Sequence, residues 1–446
     1  MPEPVDLPLS DPDISILSGA GSLVRRTVLP SGLRILTEHM PAVVSATIGF
    51  WVPVGSRDEQ PDTFGSTHFL EHLLFKGTPT RSAFDIARAF DEVGGEHNAM
   101  TSKESTCYYA KVRDSDVPMA IDVLADMVTS SVLDAHEFES ERGVILEELA
   151  MADDDPGDVA GERLSELVFG DHELGRPIGG TKESILGVSR DRVLEHYRDR
   201  YTLSDLVVTV AGAVDHDVVV QLVTAALDRY GWSRDVTGDP RPRREATPLD
   251  VRGGGVTVVQ RPLEQVNLMI GMPGIVATDE RRPVMSIMNS VLGSGMSSRL
   301  FQEVRERRGL AYSVYSFGMS YADSGMFGMY AGCSPRKTEQ VAKILIEQLE
   351  SVASDGITEE ERTRALGMIG GASALALEDS DARMSRLGRA ELALGRFTDL
   401  ETSLARLAAV TAEQVRDFAS ELLSGDRSIA AVGMVEDDLH ALTESA

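Results

Sequence analysis

A chain of 446 residues with 42% hydrophobic and 26% charged side chains is a globular protein of two or more domains and not a disordered one. Its 43 basic against 71 acidic residues leave a net charge of −28, which argues against nucleic acid or anionic membrane as a partner. The simplest reading of that charge is solubility, although basic peptides would be favoured if the acids line a cavity.

Taken in chain order, residues 1–21 are rich in Pro and Asp and are expected to form a disordered lead. They lack the basic and apolar regions of a secretory signal. No apolar run reaches the roughly 20 residues of a membrane span. The two cysteines, Cys107 and Cys333, suit a reducing compartment and read as buried small apolar residues, so a cytoplasmic protein with no membrane span is expected. Val24–Leu29 and Leu33–Glu38 alternate around Pro30-Ser31-Gly32 as a β-hairpin, and residues 43–54 read as a longer strand. A helix from Ser66 stops at Gly77-Thr78-Pro79, and Ser82 with Asp85 caps a second one. Asn98–Thr101 and Ser105–Val112 read as strands, Val117–Ser130 and Ala135–Ala152 as helices. A helix over Val159–Val168, another over Arg190–Tyr201 and a strand at Leu206–Ala211 complete this half.

The second half repeats the order. Residues 266–272 echo Ser45–Trp51, Ser324–Cys333 echo Ser105–Val112, and Val410-Thr-Ala-Glu-Gln-Val415 matches Val188-Ser-Arg-Asp-Arg-Val193. The pattern predicts an α+β fold of two homologous halves, each a largely antiparallel sheet layered with helices. The expected divisions are a first half over 22–232, a Pro- and Gly-rich linker over 233–255 and a second half over 256–446.

The chemistry concentrates in His68-Phe-Leu-Glu-His72. Residues i and i+4 share a helix face, so both imidazoles can reach one ion, with Glu71 beside them. The corresponding helix of the second half, Val284–Leu292, has no histidine, so one half is expected to carry metal and the other not. A catalytic zinc usually has three protein ligands plus water, and the acidic stretch Glu137–Glu148 is the best source of a third. On that helix Glu141 and Glu148, seven residues apart, share one side. The periodicity alone does not decide whether either binds metal, since most such glutamates are solvated.

His68–Thr78, Asn98-Ala-Met-Thr-Ser-Lys-Glu104 and Glu141-Arg-Gly-Val-Ile-Leu-Glu-Glu148 together resemble the inverzincin peptidases of the pitrilysin and mitochondrial processing peptidase family. The chain looks most like the short bacterial members similar to the processing peptidase β subunit, from about Val24 to Val435. The resemblance implies a zinc-dependent endopeptidase acting on unfolded peptides or short polypeptides, with one Zn2+ per chain held by His68, His72 and Glu148. Glu148 lies 76 residues after His72, where the family has its third ligand, and its spacing from Glu141 favours it over Glu147. It further implies Glu71 as general base and Glu141 as the acid that orients a ligand histidine. The resemblance also implies that Asn98 and Ala99 belong to a strand edge that pairs with substrate, and that Arg305 and Tyr312, seven apart after the glycine-rich Gly293-Ser-Gly295, hold the scissile carbonyl. That glycine loop lacks the G-K-[ST] ending of a phosphate loop. Pairing as a homodimer or with a related chain is expected on the same ground. The alternative is a non-catalytic scaffold or partner subunit of the same fold.

Overall fold

The hairpin expected around Pro30-Ser31-Gly32 forms, with Gly32 at φ +87°, the left-handed backbone that such a turn requires. The computed structural model describes residues 3–18, 21–233, 236–245, 247–248, 253–436 and 439–443. Among the described residues the strands are β1 (Val5–Asp6), β2 (Asp13–Leu17), β3 (Leu23–Val28), β4 (Arg34–His39), β5 (Ser45–Val52), β6 (Glu96–Thr101) and β7 (Thr106–Arg113). They continue with β8 (Val207–Gly212), β9 (Gly255–Gln260), β10 (Val266–Pro273), β11 (Ala311–Ser320), β12 (Gly325–Cys333), β13 (Arg396–Phe397) and β14 (Ser428–Gly433).

One sheet runs β2-β3-β4-β8-β5-β7-β6 and the other β9-β14-β10-β12-β11. The second order repeats β4-β8-β5-β7-β6 strand for strand, so the repeat read from the sequence is a repeat of topology. Both sheets are antiparallel except at one equivalent place, where β4 pairs with β8 and β9 with β14 in parallel. The α+β layering follows the expectation. On one face the first sheet buries Ile48, Phe50, Tyr108 and Val210 against the apolar stripes of helices Val117–Ser130, His216–Arg229 and Ser66–Leu74. The second sheet buries Leu268, Ile270, Phe327 and Met329 against helices Arg282–Gly293, Thr338–Asp355 and Ala412–Leu423.

The opposite face of each sheet is covered by a helix from the other half. Helix Ser380–Arg389 lies on β4, β5 and β8, and helix Pro156–Phe169 lies on β10 and β14. Gly49 and Gly271 make the close approach possible. A Cβ at Gly49 would stand 2.4 Å from Met384 Sδ, and one at Gly271 2.9 Å from Leu164 Cδ1. All strands of the first sheet precede residue 213 and all of the second follow residue 254, yet the helices cross that division. Fully buried Glu391 reinforces the exchange by accepting from Arg26 (Nε, 2.9 Å), Arg34 (Nη1, 3.4 Å) and Arg243 (Nη2, 3.0 Å).

The expected disordered lead needs correction. Of residues 1–21, the described ones include β1, paired with β13, and β2, paired antiparallel with β3. The alternation Ile14, Ile16 against Asp13, Ser15 is enough for an edge strand, and the surrounding Pro and Asp residues masked it. Residues 1–2 and 19–20 lie outside the described residues, as do 234–235, 246 and 249–252 of the expected linker. The described linker residues carry no helix or strand before Gly255, and Arg243 and Arg244 anchor them through Glu391 and Asp58. Cys107 and Cys333 are both buried and free.

Candidate metal centre

The histidine helix Ser66–Leu74 starts at Gly65, whose backbone is left-handed at φ +87°. Its opening N–H groups are satisfied by Glu59, whose carboxylate accepts from Gly65 (2.8 Å) and Thr67 (2.7 Å). Burial raises the Glu59 carboxyl to about 7 despite those two donors. The apolar face is fully buried through Phe69, Leu70, Leu73 and Leu74. At about 1.5–3 kcal/mol for each buried side chain, that face fixes the helix and leaves the polar face free for chemistry.

Helix Ala135–Asp154 docks alongside by stacking Phe138 on Phe69, with ring centroids 4.3 Å apart and planes 6° from parallel. Ile145 is fully buried on the same side, two turns on. This stack sets the register that brings the two acids to the two histidines. His72 Nδ1 lies 3.0 Å from Glu141 Oε2, and Lys76 Nζ donates to Glu141 Oε1 at 2.7 Å. Glu148 Oε2 lies 3.3 Å from His72 Nε2 and 3.6 Å from His68 Nε2. Glu147 is exposed and makes no hydrogen bond or ion pair among the described residues.

The donor set fits a zinc ion. Glu141, bonded to Lys76, can only accept, so His72 carries its proton on Nδ1 and turns the Nε2 lone pair toward Glu148. Burial and the neighbouring His72 lower the pKa of His68, which favours the neutral, ligating imidazole. One nitrogen of each histidine and a Glu148 oxygen then lie within 4.8 Å of one another, an arrangement that a bound cation would satisfy. Ligands about 2.0–2.2 Å from a tetrahedral ion stand about 3.4 Å apart, close to the two measured separations.

Glu71 accepts a hydrogen bond from Thr101 Oγ1. Thr101 is the last residue of β6, the edge strand of the first sheet, so the free edge leads to the glutamate beside the histidines. On that edge Asn98 is exposed, and Ala99 donates its N–H to the Asn98 side-chain oxygen at 2.9 Å. His97 packs away from the site, stacked on Phe90 at 4.4 Å. Arg305 and Tyr312 form a pair of their own on the second half. Arg305 Nη1 donates to the Tyr312 carbonyl at 3.0 Å and its guanidinium lies 4.2 Å from the phenol ring centroid. No hydrogen bond, ion pair or ring contact among the described residues joins that pair to the histidine helix. Tyr312 is 75% exposed and free to meet another molecule.

Three residues of this site were not singled out by sequence reasoning. Lys76 carried a signal, since it stands at i+4 from His72 and therefore on the same face. Glu59 and Thr101 carried none, because a loop acid and a strand hydroxyl become partners of the helix only through the fold.

Comparison with known proteins agrees in both halves. Residues 34–182 match the family model described as insulinase, peptidase family M16, and residues 187–368 match the peptidase M16 inactive domain. An uncharacterized zinc protease of Streptomyces coelicolor is 49% identical over 93% of this chain and 90% of its own length. One of Bacillus subtilis is 39% identical over 92% of this chain and 98% of its own. Among solved structures, a protease from Helicobacter pylori superposes with a TM-score of 0.84 at 21% identity, covering 92% of this chain and 99% of that one. The structure of a peptidase M16 inactive domain from Pseudomonas fluorescens gives the same TM-score at 19% identity over 92% and 97%. Both are alike in fold. No helix among the described residues is long and apolar enough to cross a membrane. With models matched in succession along both halves and zinc proteases nearly half identical over nine-tenths of its length, the chain belongs to peptidase family M16.

Proposed function

We propose that the chain is a zinc-dependent endopeptidase that hydrolyses peptide bonds in unfolded peptides or short polypeptides. One observation carries the reading: three metal-binding atoms converge beside a glutamate that is tied to the end of an open strand edge. His68, His72 and Glu148 hold one zinc, which polarises the scissile carbonyl and acidifies water when bound. Glu141 fixes the His72 tautomer and orientation. Glu71, held by Thr101, takes the proton of the attacking water and returns it to the leaving amine.

The free edge of β6 pairs with extended substrate through backbone groups, which gives broad tolerance of side chains. Asn98 and Ala99 lie on that edge, and an incoming strand takes over the Ala99 N–H from the Asn98 amide. Arg305 and Tyr312 bind the carbonyl and its developing oxyanion from the side away from the metal. Residues 22–232 form the zinc-binding unit and 256–446 the metal-free unit, joined through 233–255. The protein works in the cytoplasm, paired with a second copy or a related chain.

The test is zinc content together with mass-spectrometric mapping of products from a peptide library, with Glu71→Gln as control. Stoichiometric zinc and cleavage that the control lacks support the reading. Protein that neither holds zinc nor cleaves peptide is instead a non-catalytic scaffold of the same fold.

A further inference from the structure

A cavity of about 300 Å³ lies between the exchanged helix Ser380–Arg389, the start of helix Arg282–Gly293, β13 and helix Leu400–Ala408. Its charged lining is Arg282, Arg386, Arg389, Arg396 and Arg406, with Asp279 as the one acid. In a chain with 71 acidic residues to place, this is a local reversal of sign. Several of these charges are answered. Arg386 is held by both oxygens of Glu38 at 2.9 and 3.0 Å, Arg396 and Arg406 share Glu280, and Asp279 turns to Arg281 at 2.8 Å.

Two have no acidic partner among the described residues, the half-buried Arg282 and the solvent-exposed Arg389. Arg282 has only the carbonyl of Ala277, at 3.3 Å, and Arg389 makes no hydrogen bond or ion pair among the described residues. Burial together with Arg389, Arg396 and Arg406 pushes Arg282 down to about 10, and no carboxylate opposes the shift. Arg282 also stands in the first turn of its helix, the positive end of the helix dipole, where a cation is disfavoured. A fold that gathers mutually repelling guanidinium groups around a cavity is stabilised by whatever anion enters it.

We propose that Arg282 and Arg389, with Arg396 and Arg406, form a binding site for a small multivalent anion of the phosphate class, either free phosphate or the phosphoryl group of a small molecule. The planar donor forks of arginine match phosphate oxygens, and the cavity volume suits a pyrophosphate or a small phosphomonoester. The site shares no residue with the histidine cluster.

The test is calorimetric titration of the purified, zinc-loaded full chain with inorganic phosphate, pyrophosphate and glycerol phosphate in turn, with thermal unfolding followed alongside. Saturable binding is expected, tighter for pyrophosphate than for phosphate, with a raised melting temperature. In the Arg282→Gln/Arg389→Gln double variant the affinity falls by at least on the order of tenfold while zinc content is unchanged, which separates this site from anion binding at the metal. Without added anion, Arg389→Gln alone melts at or above the wild-type temperature, because a repulsion is removed. Glycerol phosphate binding more tightly than phosphate identifies a phosphorylated small molecule as the occupant, and the reverse identifies the free ion. Three results overturn the proposal: no saturable binding, equal binding by the double variant, or a lowered melting temperature for Arg389→Gln. A fourth is a phosphate-insensitive dimer that the double variant dissociates, which would show an acid of a second copy filling the cavity.

Discussion

Replacing Glu141 by Gln keeps the shape of the side chain and removes the charge between His72 and Lys76. The carboxylate is 5% exposed and accepts from two donors, His72 Nδ1 at 3.0 Å and Lys76 Nζ at 2.7 Å. An amide has one oxygen and so can serve only one of them, while its NH2 group is set against the other donor. A hydrogen bond to a charged group contributes about 1.5–3 kcal/mol. If the ammonium wins the oxygen, His72 loses the partner that fixes its tautomer. Loss of such an outer partner costs about 10–100-fold in metal affinity, or about 1.4–2.7 kcal/mol, so the two estimates agree. The expected result for Glu141→Gln is therefore zinc affinity weakened by one to two orders of magnitude with the fold intact. Competition with a chromophoric chelator measures the affinity, and circular dichroism checks the fold. A zinc Kd within twofold of wild type would show that Glu141 is only a partner of Lys76.

Glu71→Gln is expected to bind zinc normally and to lose turnover by about 10²–10⁴-fold, measured on a quenched peptide, and retained turnover removes Glu71 from the chemistry. Glu148→Gln should lose zinc on dialysis whereas Glu147→Gln should keep it, and the opposite outcome moves the third ligand by one residue. Glu391→Gln leaves Arg26 and Arg34 buried, and Arg243 half-buried, without their counter-charge and should cost about 3–5 kcal/mol in denaturant unfolding. A loss below about 1 kcal/mol would mean that the arginines find other partners. The pH dependence of stability should show two opposed buried groups. Glu59, raised by burial from 4.5 to about 7, stabilises the fold at low pH, and that contribution is lost as pH rises through 7. His196, lowered by burial from 6.5 to about 4, contributes above 6.5, and that contribution is lost as pH falls toward 4. Glu59→Gln removes the first slope, so its melting temperature should climb more steeply with pH than wild type between 4.5 and 7. Parallel profiles refute the assignment.

Much of the site was legible because its parts lie on single elements with a fixed period. Spacing on one helix put His68, Glu71 and His72 together, and spacing on a second put Glu141 and Glu148 on one side. Choosing Glu148 required the family resemblance, since periodicity treats the two acids alike. Partners across elements stayed hidden. Thr101 looked like any strand threonine, and Glu59 like any loop acid, until tertiary packing brought them to Glu71 and to the helix start. The repeat was readable as strand order, but the exchange of helices was not. An amphipathic pattern says that a helix buries one face and is silent about which sheet it buries it against. Nothing in the local sequence marks Glu391 and Arg26 as buried, and their convergence from opposite ends of the chain makes that burial tolerable.

The exchange bears directly on the metal centre. Helix Ala135–Asp154, which carries Glu141 and Glu148, passes at Asp155 straight into helix Pro156–Phe169, the one seated on the second sheet. The two histidines are tied to the core of the first sheet, so the site is assembled between an element of one half and an element leading into the other. Which attachment wins is decided by where the long helix is held. Phe138 and Ile145 are buried in the first core, and at about 1.5–3 kcal/mol each they keep the acids with the histidines. Beyond Glu148 the helix has no fully buried side chain, and Met151 is 71% exposed. The anchored part of the helix thus ends within one turn of Glu148, and the stretch from residue 150 to Asp155 that leads to the second sheet has no fully buried side chain. Glu141 and Glu148 are therefore held by the same core as His68 and His72, and the crossing to the second half begins only after the cluster is complete.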